Sequence, residues 1–268
     1  MTCASCASSD RARAAAQYDA IAELYDGYPG NYLDDILFYV EEAVRAGSPV
    51  LELGVGTGRL AFCMAAAGID VVGLDASLAM LHVLQRRRAC IPPPRGRVDV
   101  LAADMRCFAL RRRFPLAIIP FRTFLYLLRR TDQMRALRTI RRHLAAGGRL
   151  IMSFFVPPPD LISQGRTARQ EAARFPAPDG GHEVVAFDWT EFGPEQRLVS
   201  HITYIWYDEA GNETGRLERS LVARYVFPEQ VPPLLRAAGY RVINAYGGFD
   251  RRPLGEGSRE QIWVAAPA

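Results

Sequence analysis

Apolar residues follow two different rhythms along this chain, and the change of rhythm divides it. Between residues 49 and 155, short near-continuous apolar runs alternate with stretches of helical period. The runs at 49–53, 70–74, 98–102, 116–120 and 149–155 read as buried strands. The stretches at 58–67, 77–88 and 132–144 read as helices, the first stopped by Gly68 and the last by Gly147-Gly148. Strands that are apolar throughout and separated by helices predict a parallel sheet covered on both faces. In such open sheets a ligand sits beyond the carboxyl ends of the strands, so the residues just after each run are the place to look for chemistry.

After residue 156 the period changes. A Pro/Gly-rich connection leads to 183–189, 198–207 and 216–226, where polar and apolar residues alternate with period two around the turn Asp-Glu-Ala-Gly-Asn-Glu. That alternation marks antiparallel hairpins with one solvated face. A last helix opens at Phe227-Pro228-Glu229 and closes at Gly239, and strands at 240–245 and 261–265 finish the chain. The fold expected is α/β and doubly wound: a mostly parallel seven-stranded sheet with a small antiparallel insertion before its last two strands. The chain then divides into a disordered tail (1–16), lid helices and ligand-binding core (17–155), linker and insertion serving the acceptor or a dimer contact (156–227), and the returning helix and strands (228–268). Residues 17–46 read as helical with a break at 27–31.

Composition narrows the chemistry. All 33 basic residues are arginine. Without lysine there is no Schiff base, no pyridoxal phosphate anchor and no P-loop lysine. The net charge of +4 is mild, and the arginine clusters at 86–88, 111–113, 129–130 and 141–142 fall at helix ends and connections, where cations suit the helix dipole and water. A nucleic-acid binder concentrates such charge in one stripe interleaved with aromatics, so no nucleic-acid partner is expected. No run approaches the ~20 apolar residues of a membrane span, and the amino terminus has no apolar signal core. A cytoplasmic protein without a membrane partner, monomeric or homodimeric, is the expectation. Cys3 and Cys6 open the chain with no strand before them, which favours a loose tail over a metal loop. Cys63, Cys90 and Cys107 read as small core residues, and no metal is expected.

The central signal is Val-Leu-Glu-Leu-Gly-Val-Gly-Thr-Gly-Arg-Leu, residues 50–60: a strand running through Gly54, Gly56 and Gly58 into a helix. Glycine lets the backbone turn sharply and lets a ligand approach it, and the helix start leaves amide donors free. Nicotinamide and flavin sites use such turns too. The dinucleotide pattern, however, puts its third glycine where this chain has Arg59, and Glu52 stands just before the first glycine. A carboxylate there suits a cationic ligand better than a pyrophosphate.

Taken together, the segment resembles motif I of the class I S-adenosylmethionine-dependent methyltransferases. The resemblance covers residues 18–155 well and the last two strands more loosely. It implies that Asp75, with Ala76 after it at the end of the second strand, meets the ribose hydroxyls of the cofactor, an acid that would equally fit a nicotinamide ribose. It further implies that Asp104 meets the adenine amino group and Met105 the ring. The end of the fourth strand, Pro120, Phe121, Arg122, Thr123 and Phe124, then faces cofactor or acceptor. Asp104 also fits a turn cap, and Arg122 a surface position. Tyr18 and Tyr25, in the repeat Tyr-Asp-Ala-Ile-Ala-Glu-Leu-Tyr-Asp, fit either a lid over the cofactor or a helix merely packed on the core. His82 reads as structural, His143 as a cation at a helix end, and His182 and His201 lie in the insertion without distinction. No residue stands out as a catalytic base, which leans toward a nitrogen acceptor. The expected activity is S-adenosylmethionine-dependent methylation of a small molecule, a planar heterocycle or amino sugar in specialised metabolism. Trp189 would be an acceptor wall. An RNA or protein methyltransferase, or a silent cofactor-binding protein, are the alternatives.

Overall fold

The computed structural model describes residues 17–30, 32–178, 180 and 183–268. The expected tail, with Cys3 and Cys6, and His182 lie outside them. Five parallel strands carry the core: β1 (Val50–Leu53), β2 (Val71–Asp75), β3 (Val98–Ala102), β4 (Phe114–Ile119) and β5 (Leu144–Phe155). Helices α1 (Ile36–Ala46), α2 (Arg59–Ala66), α3 (Leu78–Cys90) and α4 (Arg130–His143) precede or connect them. After the insertion, α6 (Val231–Ala237), β10 (Tyr240–Tyr246) and β11 (Glu260–Pro267) return to the same sheet. The resulting order is β10-β11-β5-β4-β1-β2-β3, with β11 antiparallel to both of its neighbours.

Successive strand residues face opposite sides, so an apolar run feeds two cores at once. Leu116 and Ile118 pack with Phe38, Tyr39, Leu60 and Met64 on one face; Ala117 and Ile119 pack with Ala136, Leu137, Ile140 and Leu235 on the other. Two hydroxyls are drawn into these cores with partners. Tyr39 donates to Ser153 Oγ at 2.9 Å, and Tyr240 donates to the Leu137 carbonyl at 2.9 Å.

The insertion differs in detail from the sequence reading. A short helix α5 (Pro159–Gln164) and a strand β6 (Gln170–Pro176) occupy the expected connection. With β7 (Glu183–Phe192), β8 (Arg197–Tyr207) and β9 (Glu213–Arg224) they make a four-stranded antiparallel meander. β6 escaped notice because its side chains are mostly exposed or half-buried and show no clean alternation. β5 starts at Leu144 rather than at 149, because Leu144 already pairs with Phe114. One face of the meander, with Val184, Ala186, Ile202, Tyr204 and Leu221, packs against Ile21 and Leu24 of the amino-terminal segment.

Two side-chain expectations need correction. His143 is a neutral core residue rather than a helix-end cation. Its Nε2 accepts the Leu110 N–H at 3.0 Å, which requires an unprotonated nitrogen, and its ring stacks on Phe108 at 4.4 Å. Cys90 is exposed and Cys63 and Cys107 are half-buried, so none is a core cysteine.

Candidate functional site

The carboxyl ends of β1 to β4 open into one cavity. The glycine turn forms its floor. Gly54 and Gly56 both hold the left-handed backbone, with φ of 78° and 55°. They serve different ends. A Cβ at Gly54 would lie 2.3 Å from Thr123 Cγ2, whereas a Cβ at Gly56 would meet no protein atom within 4 Å. Gly54 is glycine for internal packing; Gly56 leaves a cradle open toward the cavity it lines.

Asp75, at the end of β2, lines the cavity and accepts the Gly56 N–H at 2.8 Å and the Ser77 N–H at 2.9 Å. Burial raises its carboxyl above the ordinary range, against the pull of those amides. Ser77 caps α3 by accepting the Met80 N–H at 3.1 Å. Glu52 lies below the turn, 2 % exposed, and its Oε2 has no hydrogen-bond partner. Desolvation pushes its carboxyl up to about 8, with Arg59 pulling the other way. A buried carboxylate oxygen left without a donor is costly, and such an atom beside a ligand turn fits a cationic group as its partner.

At the end of β3 the cavity meets an ion pair rather than a free acid. Asp104 accepts from Arg106 Nε at 3.0 Å and Nη2 at 2.7 Å, and Arg106 Nη1 lies 3.2 Å from Asp132. Asp104 and Arg106 are 7 % and 8 % exposed. Nothing in the sequence pointed to Arg106 or Asp132. Their pairing comes from the approach of α4 to the β3 loop, a tertiary contact without a local signature. Met105 lines the cavity beside them.

At the end of β4, Phe121 and Arg122 hold φ of 49° and 65°, a conformation side-chain-bearing residues rarely adopt. That turn places Phe121 in the cavity wall and sends Arg122 away, over the Phe155 ring at 4.9 Å and 3.7 Å from Glu260. Thr123 donates to the Pro120 carbonyl at 2.8 Å and covers Gly54.

The amino-terminal segment 17–30, expected as helix up to residue 26, is turns from residue 20 onward and forms a strap across the top. On the core side Asp19 accepts from Ser77 Oγ at 2.5 Å, Asp26 accepts from Thr57 Oγ1 at 2.6 Å and Arg87 at 2.9 Å, and Glu23 pairs with Arg86. On the meander side the Tyr28 hydroxyl donates to Asp188, the Tyr204 hydroxyl donates to the Tyr28 carbonyl at 2.7 Å, and Gln17 Oε1 accepts the Val222 N–H at 2.5 Å. Tyr18 stands edge-on to Tyr25 at 5.8 Å and to Tyr126 at 5.3 Å, and all three line the cavity. Burial raises all three phenols, so they stay neutral.

Of the residues singled out from sequence, Tyr18, Tyr25, Gly54, Gly56, Asp75, Ala76, Asp104, Met105 and Phe121 line the cavity. Glu52, Gly58, Pro120 and Arg122 lie behind or beside its wall. Trp189 does not reach it: its ring stacks on His201 at 4.6 Å, on the meander. Thr123, in the segment after β4 that the resemblance marked, lines it too; Tyr126 and Ser77 do so without having been foreseen, the serine's place before a helix being the one legible signal.

Comparison with known proteins agrees with this geometry. A family model described as a methyltransferase domain matches residues 50–148. A cypemycin N-terminal methyltransferase from Streptomyces sp is 26 % identical over 218 residues, covering 81 % of this chain and 82 % of that protein. The structure of the CcbJ methyltransferase from Streptomyces caelestis superposes with a TM-score of 0.77 at 26 % identity, covering 92 % of this chain and 96 % of that one. The sugar N-methyltransferase KedS8 from Streptoalloteichus sp shares the fold, with a TM-score of 0.66 at 20 % identity over 90 % of each chain. The glycine turn, the acids at the ends of β2 and β3, and the strand order agree with these likenesses, and together they support a class I S-adenosylmethionine-dependent methyltransferase.

Proposed function

We propose that this methyltransferase methylates an amine nitrogen of a small molecule, with an amino sugar as the leading acceptor class. The observation that carries the reading is the strap. Tied on one side to Ser77, Thr57, Arg86 and Arg87 and on the other to Asp188, Tyr204 and Val222, it roofs the cavity and leaves little room for a macromolecular substrate.

S-adenosylmethionine supplies an activated methyl group on a sulfonium. The residues present fit it: Gly56 gives backbone approach, Asp75 gives acceptors for ribose hydroxyls, the unpartnered Glu52 oxygen suits its ammonium, directly or through water, and Met105 gives a surface for the base. The protein's contribution is alignment and dryness. Holding two reacting groups in line can supply ~7–11 kcal/mol of a barrier, and a roof of neutral tyrosines keeps water out. A neutral amine needs no strong base to react, and the carboxylates that line the cavity are engaged, Asp75 by two amides and Asp104 and Asp132 by Arg106. A planar heterocycle is the weaker choice, because the aromatic wall that would favour it, Trp189, stacks elsewhere.

The amino terminus of a peptide is a second reading, favoured by the likeness to an enzyme named for N-terminal methylation of cypemycin. The test is incubation with labelled S-adenosylmethionine and separate panels of amino sugars, short peptides and RNA, with mass spectrometry for the added methyl. Transfer to amino sugars supports the proposal. Transfer to RNA or folded protein alone refutes it.

A further inference from the structure

The strand order itself says where an acceptor must enter. The acids that suit a nucleoside, Asp75 and Asp104, follow β2 and β3, at one edge of the sheet. A nucleoside lying there leaves the β4-β5-β11 side open to a second reactant. On that side β11 begins at Glu260, which pairs with Phe155 at the carboxyl end of β5. Glu260 therefore stands at the same edge of the sheet as the cavity, beyond its Phe121 wall.

The surroundings of Glu260 are specific. Its side chain is 19 % exposed, and its nearest cation, Arg122, approaches to 3.7 Å. At that distance Arg122 favours the carboxylate chiefly by charge and engages it only weakly as a donor. Arg122 is held over Phe155 at 4.9 Å, and the Tyr32 ring packs on Phe121 at 5.6 Å. A carboxylate set among aromatic rings is the chemistry that receives an organic ammonium, by charge from the acid and by attraction to the ring faces.

We propose that Glu260 binds the ammonium form of the acceptor and takes its proton, so that the amine meets the methyl group with a free lone pair. One N–H bond breaks, its electron pair stays on nitrogen, and the proton moves to a Glu260 oxygen. The nitrogen then forms the N–C bond as the S–C bond of the cofactor breaks with its electrons on sulfur. The proton leaves Glu260 for solvent after product departs. This assignment rests on the amine reading above and adds how the ammonium form becomes the neutral amine.

Burial supports the role by pushing the carboxyl up to about 7, against the opposing pull of Arg122. A base is most effective when it titrates near the working pH. The other charged or titratable groups facing Glu260 are Asp35, at the start of α1 and gripped by Arg59, Tyr32, whose phenol burial and the nearby acids push up to about 12, and Tyr39, a phenol that burial raises.

The test uses the full-length protein with glucosamine, mannosamine and galactosamine as probes. Glu260→Gln keeps shape and removes the base. The expected result is a fall in kcat/KM of about 100-fold, loss of the rise in rate through neutral pH, and weaker calorimetric binding of the amine to the S-adenosylhomocysteine complex. Binding of S-adenosylhomocysteine itself should not change. Arg122→Met removes the cation that favours the carboxylate, so the rise should move to higher pH, whereas ionisation of the free amine is the same for both proteins. If Glu260→Gln proves misfolded, shown by lost S-adenosylhomocysteine binding, the Arg122→Met shift decides alone. An active wild type with Glu260→Gln unimpaired, or no shift in Arg122→Met, overturns this proposal and leaves the functional one standing. A wild type that methylates none of the amines and no peptide amino terminus removes both.

Discussion

Gly56→Ala separates a glycine kept for a ligand from one kept for the fold. Gly56 has φ of 55°, and an added Cβ would touch no protein atom within 4 Å. The fold therefore loses only the backbone preference, about 1–2 kcal/mol, or about 2–8 °C in melting temperature for a chain of this size. The new methyl would instead occupy the cradle facing the cavity. Forcing a methylene into filled space costs about 1–3 kcal/mol, which weakens S-adenosylhomocysteine binding about 5- to 150-fold. Gly54→Ala is the control. It shares the backbone strain, with φ of 78°, but its Cβ would lie 2.3 Å from Thr123 Cγ2. Its loss should appear in stability, about 2–5 kcal/mol when the clash is added. Urea denaturation without ligand and calorimetry with S-adenosylhomocysteine measure both quantities on both variants. Undiminished affinity in Gly56→Ala would refute the placement of the cofactor over this turn.

Three other outcomes follow from the same geometry. Arg106→Met strips the shared cation from buried Asp104 and half-buried Asp132, and should cost about 3–5 kcal/mol in denaturant unfolding. For Glu52 the folded carboxyl titrates near 8 against an ordinary 4.5, so the folded protein binds the extra proton between those values. Its contribution to stability is full below about 4.5 and is lost as pH rises through about 8; Glu52→Gln should flatten that decline and weaken cofactor binding at alkaline pH. Ser77→Ala removes both the α3 cap and the strap's Asp19 contact, and should cost about 1 kcal/mol in urea unfolding while exposing residues 17–30 to faster hydrogen exchange.

The sheet was legible because its strands are buried on both faces, which forces near-continuous apolar runs such as Leu116 to Ile119. The glycine turn and Asp75 were legible because ligand approach and strand ends leave local marks. What escaped was decided by distant partners. β6 shows little alternation, and Arg106 finds Asp132 only when α4 docks. His143 sits where a cation would suit the helix end, yet the Leu110 amide makes it an acceptor. Tyr126 joins the site through the turn at Phe121 and Arg122, whose left-handed backbone no glycine announced. Trp189 looked available from its alternation, but the meander pairs it with His201 across the strands.

The most direct measurement is a crystal structure of the complex with S-adenosylhomocysteine. The ribose hydroxyls should lie on the Asp75 carboxylate, the backbone of Gly56 against the ligand, and the ligand's amine on the lone Glu52 oxygen, directly or through one water. A nucleoside bound elsewhere, or one whose sugar leaves Asp75 untouched, would contradict it.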